Sequence, residues 1–513
     1  MAPSRGTSSP RSSEGRRMGL APHRIRTLLV DGLLVVAVLA SVVTLAAAPP
    51  GAASVASAGD AGSAVLGDRR VVGEPAAPTT TCATVPAQVA MAQRQASADD
   101  EAHAPDTARI QAALDGCAGS GGAVVLAASS TTAAFLSAPI TVRAGEVLVL
   151  DPAVVLHASR AAADYQVAGR ATCGTVGGAG NGCRPFISLS SHSGLASSAA
   201  TGLSRGRVDG RGDLPILGGT ASWWQVAASA KQAGKQNVPR LVAATRADDV
   251  TLHDVDLVDS PGTHVSFDHG DGLTVWGVRI RTPAGARNTD GIDPAGATDV
   301  TIARSWISAG DDGIAVKAGT AASAHISVLD DHLFGTHGVA IGSETQAGVS
   351  DVLVARVTVS GRDAFGALSV AAGGIRIKSS AVSGGLVQDV EYRDVCVDEV
   401  KYPLAFDPRY SSAVGTSIPT MTGIVVDGFR AIRSLHLASS ELDGYDAAHP
   451  LGLALRGTAV DSARVDMAAA DITTAGATFG GVPLASTASD VRVTAGPDAG
   501  DPPTCAFPAF PDL

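Results

Sequence analysis

Short apolar runs rich in β-branched residues recur along the chain, each bounded by Asp, Gly or Asn. Val147–Leu150 and Val154–Leu156 come first, and a regular series follows with starts at Val250, Leu273, Val300, Ile326 and Val352. The intervals are 23, 27, 26 and 26 residues. No 3.6-residue helical period is sustained across this region. A repeat of this length made of strands and tight turns predicts an all-β solenoid, a parallel β-helix forming a single domain. The next start, Val390, comes 38 residues after Val352, so a segment is inserted, mostly around Asp363–Gly374. Weaker strands follow at Ile424–Val426, Ala463–Val465 and Val491–Val493.

Two stretches break the strand pattern. Asp106–Cys117 spaces Ile110, Ala113 and Leu114 on one helical face behind an Asp cap, and Ala123–Leu126 follows as a strand. This predicts a short N-terminal helix capping the open end of the solenoid, where an uncovered strand would invite edge pairing. Trp223–Lys235 is an aromatic-bearing excursion between coils.

Composition adds the compartment. Met1–Arg26 holds six arginines, and a sixteen-residue apolar run, Leu33–Ala48, is followed by Ala-rich sites for cleavage after Ala48, Ala53 or Ala58. Residues 1–58 read as a secretory leader, the alternative being a retained membrane anchor. Residues 59–80 are Ala/Gly/Pro-rich and read as a flexible linker, leaving 81–513 as the parallel β-helix domain. Export permits disulfides among the six cysteines. Cys173 and Cys183 bracket a glycine-rich loop, and Cys82–Cys117 and Cys396–Cys505 are candidate partners for the rest, with the connectivity open. Glycine is abundant at 59 residues and aromatics scarce at 4%, as suits short strands and turns. A formal net charge of −11 argues against a nucleic-acid partner and, globally, against any polyanion, although a local basic pocket can override it.

Such a pocket is visible between Asn288 and Lys378. Four polar clusters punctuate the strands there: Asn288-Thr289-Asp290, Gly310-Asp311-Asp312, His337-Gly338 and Arg376-Ile377-Lys378. Twenty-one residues separate Asp290 from Asp311, close to one coil, and stacked strands lie only ~4.8 Å apart. Three carboxylates, an imidazole and two cations would then share one face. Any one Asp alone is more often a turn residue, but three crowded together cannot all ionise freely, so at least one pKa should rise and supply an acid. Arg376 and Lys378 sit two apart on a strand and leave the same face. Either a substrate anion or internal salt bridges to nearby Asp would balance them.

The four clusters resemble the motif set of the polygalacturonases, glycoside hydrolase family 28. The likeness extends to Val208–Gly212, Gln236–Arg240, His264–Phe267 and Ile341–Glu344, and covers the chain from about Thr107 onward. The resemblance implies a right-handed parallel β-helix and a secreted enzyme that hydrolyses α-1,4-galacturonosidic bonds with inversion, using no metal or cofactor. It implies that Asp311 is the general acid, that Asp290 and Asp312 hold and deprotonate the attacking water, and that His337 tunes the acid. Arg376 and Lys378 would bind the galacturonate carboxylate, with Asn288 and Tyr410 completing the substrate site. Thr336 and Gly313 depart from the usual pattern around these motifs. The partner expected is a pectic polysaccharide, met outside the cell by a monomer with no membrane attachment after processing. The insertion near Asp363–Gly374 and the Trp223–Lys235 excursion supply material to wall off one end of a cleft, which favours exo over endo attack. The rival readings are a hydrolase of rhamnogalacturonan or another substituted pectin, a Ca²⁺-dependent pectate lyase, and a non-catalytic carbohydrate-binding β-helix.

Overall fold

Through the middle of the chain each coil lays down three short strands and returns one strand spacing further along. In the computed structural model, which describes residues 66–513 apart from 199–203, 487 and 498–499, these strands form a parallel β-helix. The leader read over 1–58 lies outside the described residues. One coil consists of Val250–His253, Asp256–Val258 and Val265–Asp268, and the next of Asp271–Trp276, Arg279–Arg281 and Ile292–Ala295. The strands stack in parallel on their counterparts in the neighbouring coils.

The strand starts read from the sequence fall in one row. Val250 pairs with Leu273, Leu273 with Val300, Val300 with Ile326, Ile326 with Val352 and Val352 with Val390. These side chains point inward and are all but inaccessible, and each is worth roughly 1.5–3 kcal/mol on burial. The chain turns from the first stack into the second through a single left-handed residue per coil: Asp254, Gly277, Arg304, Asp330, Arg356 and Asp394 in succession. Asp and Gly tolerate that conformation more readily than most residues.

Helices occur where the strand pattern lapses. Asp106–Cys117 buries Ile110 and Leu114 against the first strands, and the Asp106 carboxylate accepts a hydrogen bond from the Leu136 amide at 2.8 Å. The Trp223–Lys235 excursion is largely an α-helix, Trp223–Ala233, opened by a capping box between Ser222 and Gln225. The expected cysteine pairs are all formed: Cys82–Cys117, Cys173–Cys183 and Cys396–Cys505. Among the described residues no helix is long and apolar enough to cross a membrane.

Two irregular segments run across the coils. The reading of 59–80 as a flexible linker is corrected from Gly67 to Glu74. There the Asp68 amide donates to Ser327 Oγ at 2.9 Å, Asp68 accepts from Thr301 Oγ1 at 2.7 Å, Arg69 pairs with Asp299, and Arg70 donates to the Leu273 carbonyl. Composition hides this because the contacts are made by three polar residues within an Ala/Gly/Pro-rich stretch. At the other end, residues 502–512 follow a single row of the second stack. Arg279, Trp306, His332, Thr358, Cys396 and Arg430 occupy that row in consecutive coils. Arg430 donates to the carbonyls of Pro502 and Pro503, Cys396 binds Cys505, Phe510 packs edge-on against Trp306, and Arg279 donates to the Asp512 carbonyl.

Asp331 is a carboxyl buried at a corner. Its Oδ1 accepts the Ser305 amide at 2.6 Å, while Oδ2 has no hydrogen-bond partner among the described residues. Burial, reinforced by Asp330, pushes this carboxyl well above the ordinary range. A carboxyl with a raised folded pKa holds its proton more tightly folded than unfolded. Its contribution is therefore intact at low pH and lost as pH rises through the folded value. Asp331→Asn keeps the acceptor for Ser305 and removes the titration. Thermal melts should match wild type at pH 4 and exceed it at pH 8 by about 2 °C or more. Parallel curves for the two proteins across that range would show that Asp331 does not titrate.

Candidate active site

The third stack carries the polar clusters. Its strands Ile292–Ala295, Ile314–Val316, Val339–Gly342 and Gly373–Lys378 lie side by side, with Ile292 opposite Ile314, Ile314 opposite Val339 and Val339 opposite Ile375. Two places before these partners stand Asp290, Asp312 and His337. They therefore occupy equivalent positions on three consecutive coils, and Asp311 sits one place earlier on the middle one. Within Gly373–Lys378, Ile375 and Ile377 are fully buried while Arg376 and Lys378 leave the opposite face. The turns are tight enough to require glycine at two points. A side chain at Gly310 would strike the Ala286 carbonyl, and one at Gly338, which has φ +87°, would strike the Gly374 carbonyl.

Asp311 is gripped on both oxygens. Oδ1 lies 2.9 Å from His337 Nδ1 and accepts the Asp312 amide at 2.9 Å, while Oδ2 accepts from Asn288 Nδ2 at 3.0 Å. Burial alone would push this carboxyl up, but the hydrogen bond and charge of His337, then the Lys378 ammonium, hold it at about 2. Asp312 is only 2% exposed and accepts from Lys378 Nζ at 2.6 Å. Its Oδ1 has no hydrogen-bond partner among the described residues, with Arg376 Nη1 at 4.0 Å and His337 Nδ1 at 3.9 Å. Burial pushes Asp290 well above the ordinary carboxylate range, with Asp293 adding to the rise and Lys317 opposing it. The expected rise in one pKa thus falls on Asp290, while Asp311, the acid implied by resemblance, is the low one because His337 faces it directly.

Arg376 and Lys378 differ in how far they are committed. Lys378 is neutralised internally by Asp312, whereas Arg376 Nε has no hydrogen-bond partner among the described residues. The Tyr410 ring lies under both, 5.6 Å from the guanidinium carbon and 5.2 Å from the ammonium. A guanidinium held over an aromatic ring beside an incomplete hydrogen-bond set is suited to a ligand carboxylate.

All eight residues singled out from the sequence meet at this face. Two more belong with them. Lys317 Nζ lies 2.6 Å from Asp293 Oδ2 and 3.4 Å from Asp290 Oδ2. Burial would lower the Lys317 pKa, but the two carboxylates raise it above its ordinary value. Strand alternation carried the signal: Asp293 follows inward Ile292, and Lys317 follows inward Val316. Asp311, Asp312 and His337 also offer ligand atoms within 4.8 Å of one another. The Lys378 ammonium already supplies positive charge to that cluster.

Residues 138–473 match the model of the glycosyl hydrolases family 28. An endo-polygalacturonase of Pectobacterium carotovorum is 36% identical over 404 residues, covering 78% of this chain and 91% of the relative. A polygalacturonase of Ralstonia solanacearum is 33% identical over 422 residues, covering 75% and 78%. The solved structure of a polygalacturonase from Erwinia carotovora superposes with a TM-score of 0.67 at 32% identity, covering 83% of this chain and 99% of that one.

Removing one partner of a buried ion pair strands the other. Lys378→Met should lower unfolding stability by ~3–5 kcal/mol, and adding Asp312→Asn should recover most of that loss. Denaturant titration of the two single variants and the double variant reads the coupling. Additive losses would show that the pair does not act as a unit.

Proposed function

Since the chain belongs to the glycosyl hydrolases family 28, we propose that it is a secreted polygalacturonase that hydrolyses α-1,4-galacturonosidic bonds by a single displacement with inversion. The observation that supports this most directly is the stacking of Asp290, Asp312 and His337 on three coils, with Asp311 at their centre and Arg376 one coil further on. The three disulfides accord with an extracellular location.

Arg376 holds a galacturonate carboxylate over Tyr410. Asp311 faces the glycosidic oxygen and gives it a proton as the bond to the anomeric carbon breaks. A water attacks that carbon from the opposite face and loses its proton to Asp312, which Lys378 keeps in position. Asp290, whose burial favours its protonated form, holds the water by hydrogen bonding. In the free site the His337 charge keeps Asp311 ionised. An anionic sugar bound alongside disfavours that negative charge and favours the protonated form of Asp311. A second reading makes Asp290 the donor, and its raised pKa favours that role.

The mode of attack follows the relatives. The two excursions of the chain suggested release from chain ends, but the bacterial relatives at 36% identity are named endo-polygalacturonases. Their likeness to this chain favours internal cleavage. Unesterified polygalacturonate should lose viscosity early, with few reducing ends formed. Fresh product should have the inverted anomeric configuration by NMR and show no absorbing unsaturated sugar.

Two variants test the roles. Asp311→Asn should lower kcat on polygalacturonate by ~10²–10⁴-fold. On an oligogalacturonosyl fluoride, whose leaving group needs no proton, most of that loss should disappear, while Asp290→Asn should stay impaired. The reverse pattern would move the acid to Asp290. Arg376→Ala should raise KM and narrow a roughly ten- to hundred-fold preference for unesterified over fully esterified pectin. An unchanged preference would remove Arg376 from carboxylate binding.

A further inference from the structure

Away from the cleft, the segment Gly67–Glu74 brings Glu74 to the corner at His253 and Asp254. Glu74 Oε1 lies 3.8 Å from His253 Nε2, and Asp254 Oδ2 lies 3.7 Å from the same nitrogen. One ligand atom from each of the three side chains falls within 4.8 Å of the others. His253 is only 9% exposed, and its Nε2 has no hydrogen-bond partner among the described residues. A buried ring nitrogen facing two carboxylates would normally close to a hydrogen bond. Here the oxygens stand off at distances too long for one.

Those distances are near what a shared ion imposes. Two ligands at ordinary Zn²⁺ bond lengths on a tetrahedral centre lie ~3.3–3.6 Å apart. Asp254 is the left-handed corner residue of its coil, with φ 52°. Its other oxygen, Oδ1, is held by Arg205 Nη2 at 3.0 Å. Such an outer partner fixes a ligating carboxylate, leaving Oδ2 free to turn toward His253. One imidazole and two carboxylates with an open fourth position form a donor set suited to Zn²⁺ and poor for Ca²⁺, which takes six to eight oxygens.

We propose that Glu74, His253 and Asp254 form a Zn²⁺ site that clasps the N-terminal segment onto the solenoid. The site is structural and independent of the hydrolase reading, since none of its ligands belongs to the cleft. Metal-free protein, prepared with a chelator and dialysed, is equilibrated with ZnCl₂ and its bound metal counted. Wild type should retain one ion per chain, as should Asp311→Asn, which disables the other carboxylate–imidazole cluster. His253→Gln and Glu74→Gln should each weaken retention by at least about ten-fold. Glu74 lies on an irregular, partly exposed segment, so its variant keeps the test valid should His253→Gln fail to fold. Retention that survives Glu74→Gln but is lost in Asp311→Asn would place the ion in the cleft and overturn the proposal. Failure of wild type to retain Zn²⁺, or tighter retention of Ca²⁺, would overturn it as well.

Discussion

Neighbouring coils of this solenoid are held one strand spacing apart, ~4.8 Å, by a parallel backbone ladder, and the chemistry of the polar face depends on that ladder staying in register. Asp290, Asp312 and His337 have no contact in sequence. They meet because Ile292, Ile314 and Val339 are locked opposite one another through apolar side chains that face the core. A slip of one residue would send those apolar side chains outward and turn Arg376 and Lys378 inward. Apolar packing is thus what sets the distances between charged groups.

Within that frame the charges divide into three small groups. Lys317 lies between Asp290 and Asp293, Lys378 grips Asp312, and His337 grips Asp311. Asp290 and Asp311 thereby acquire different proton affinities without any difference in side-chain type. Asp290 is dominated by burial, and Asp311 by its imidazole. Arg376 is the cation least committed to internal partners, which distinguishes it from Lys378 although the two share a strand face.

The sequence carried much of this because strand alternation and coil length are written into residue type. The starts at Val250, Leu273, Val300, Ile326, Val352 and Val390 fall in one row of the structure. Other features required three-dimensional neighbours. Counting residues put Asp290 beside the Asp311/Asp312 pair, but only register shows that Asp312 is its direct counterpart. The Lys378–Asp312 pairing spans 66 residues. Lys317 and Asp293 are legible from alternation but stand out less, because neither lies in a dense polar cluster. Asp68, Arg69 and Arg70 sit in a stretch whose composition resembles a linker, and their partners lie more than 200 residues away.

The two irregular segments act on the coils as splints. Residues 67–74 cross the first stack from Ser327 back to His253, and residues 502–512 cross the second from Arg430 back to Arg279. Both spans include the coils that carry Asp290, Asp311 and His337. A bend that opened a gap between those coils would have to stretch contacts on both flanks as well as the ladder itself. The floor beneath the third stack therefore resists flexing along the solenoid axis, and a long, stiff polysaccharide can be gripped without the floor bowing to meet it.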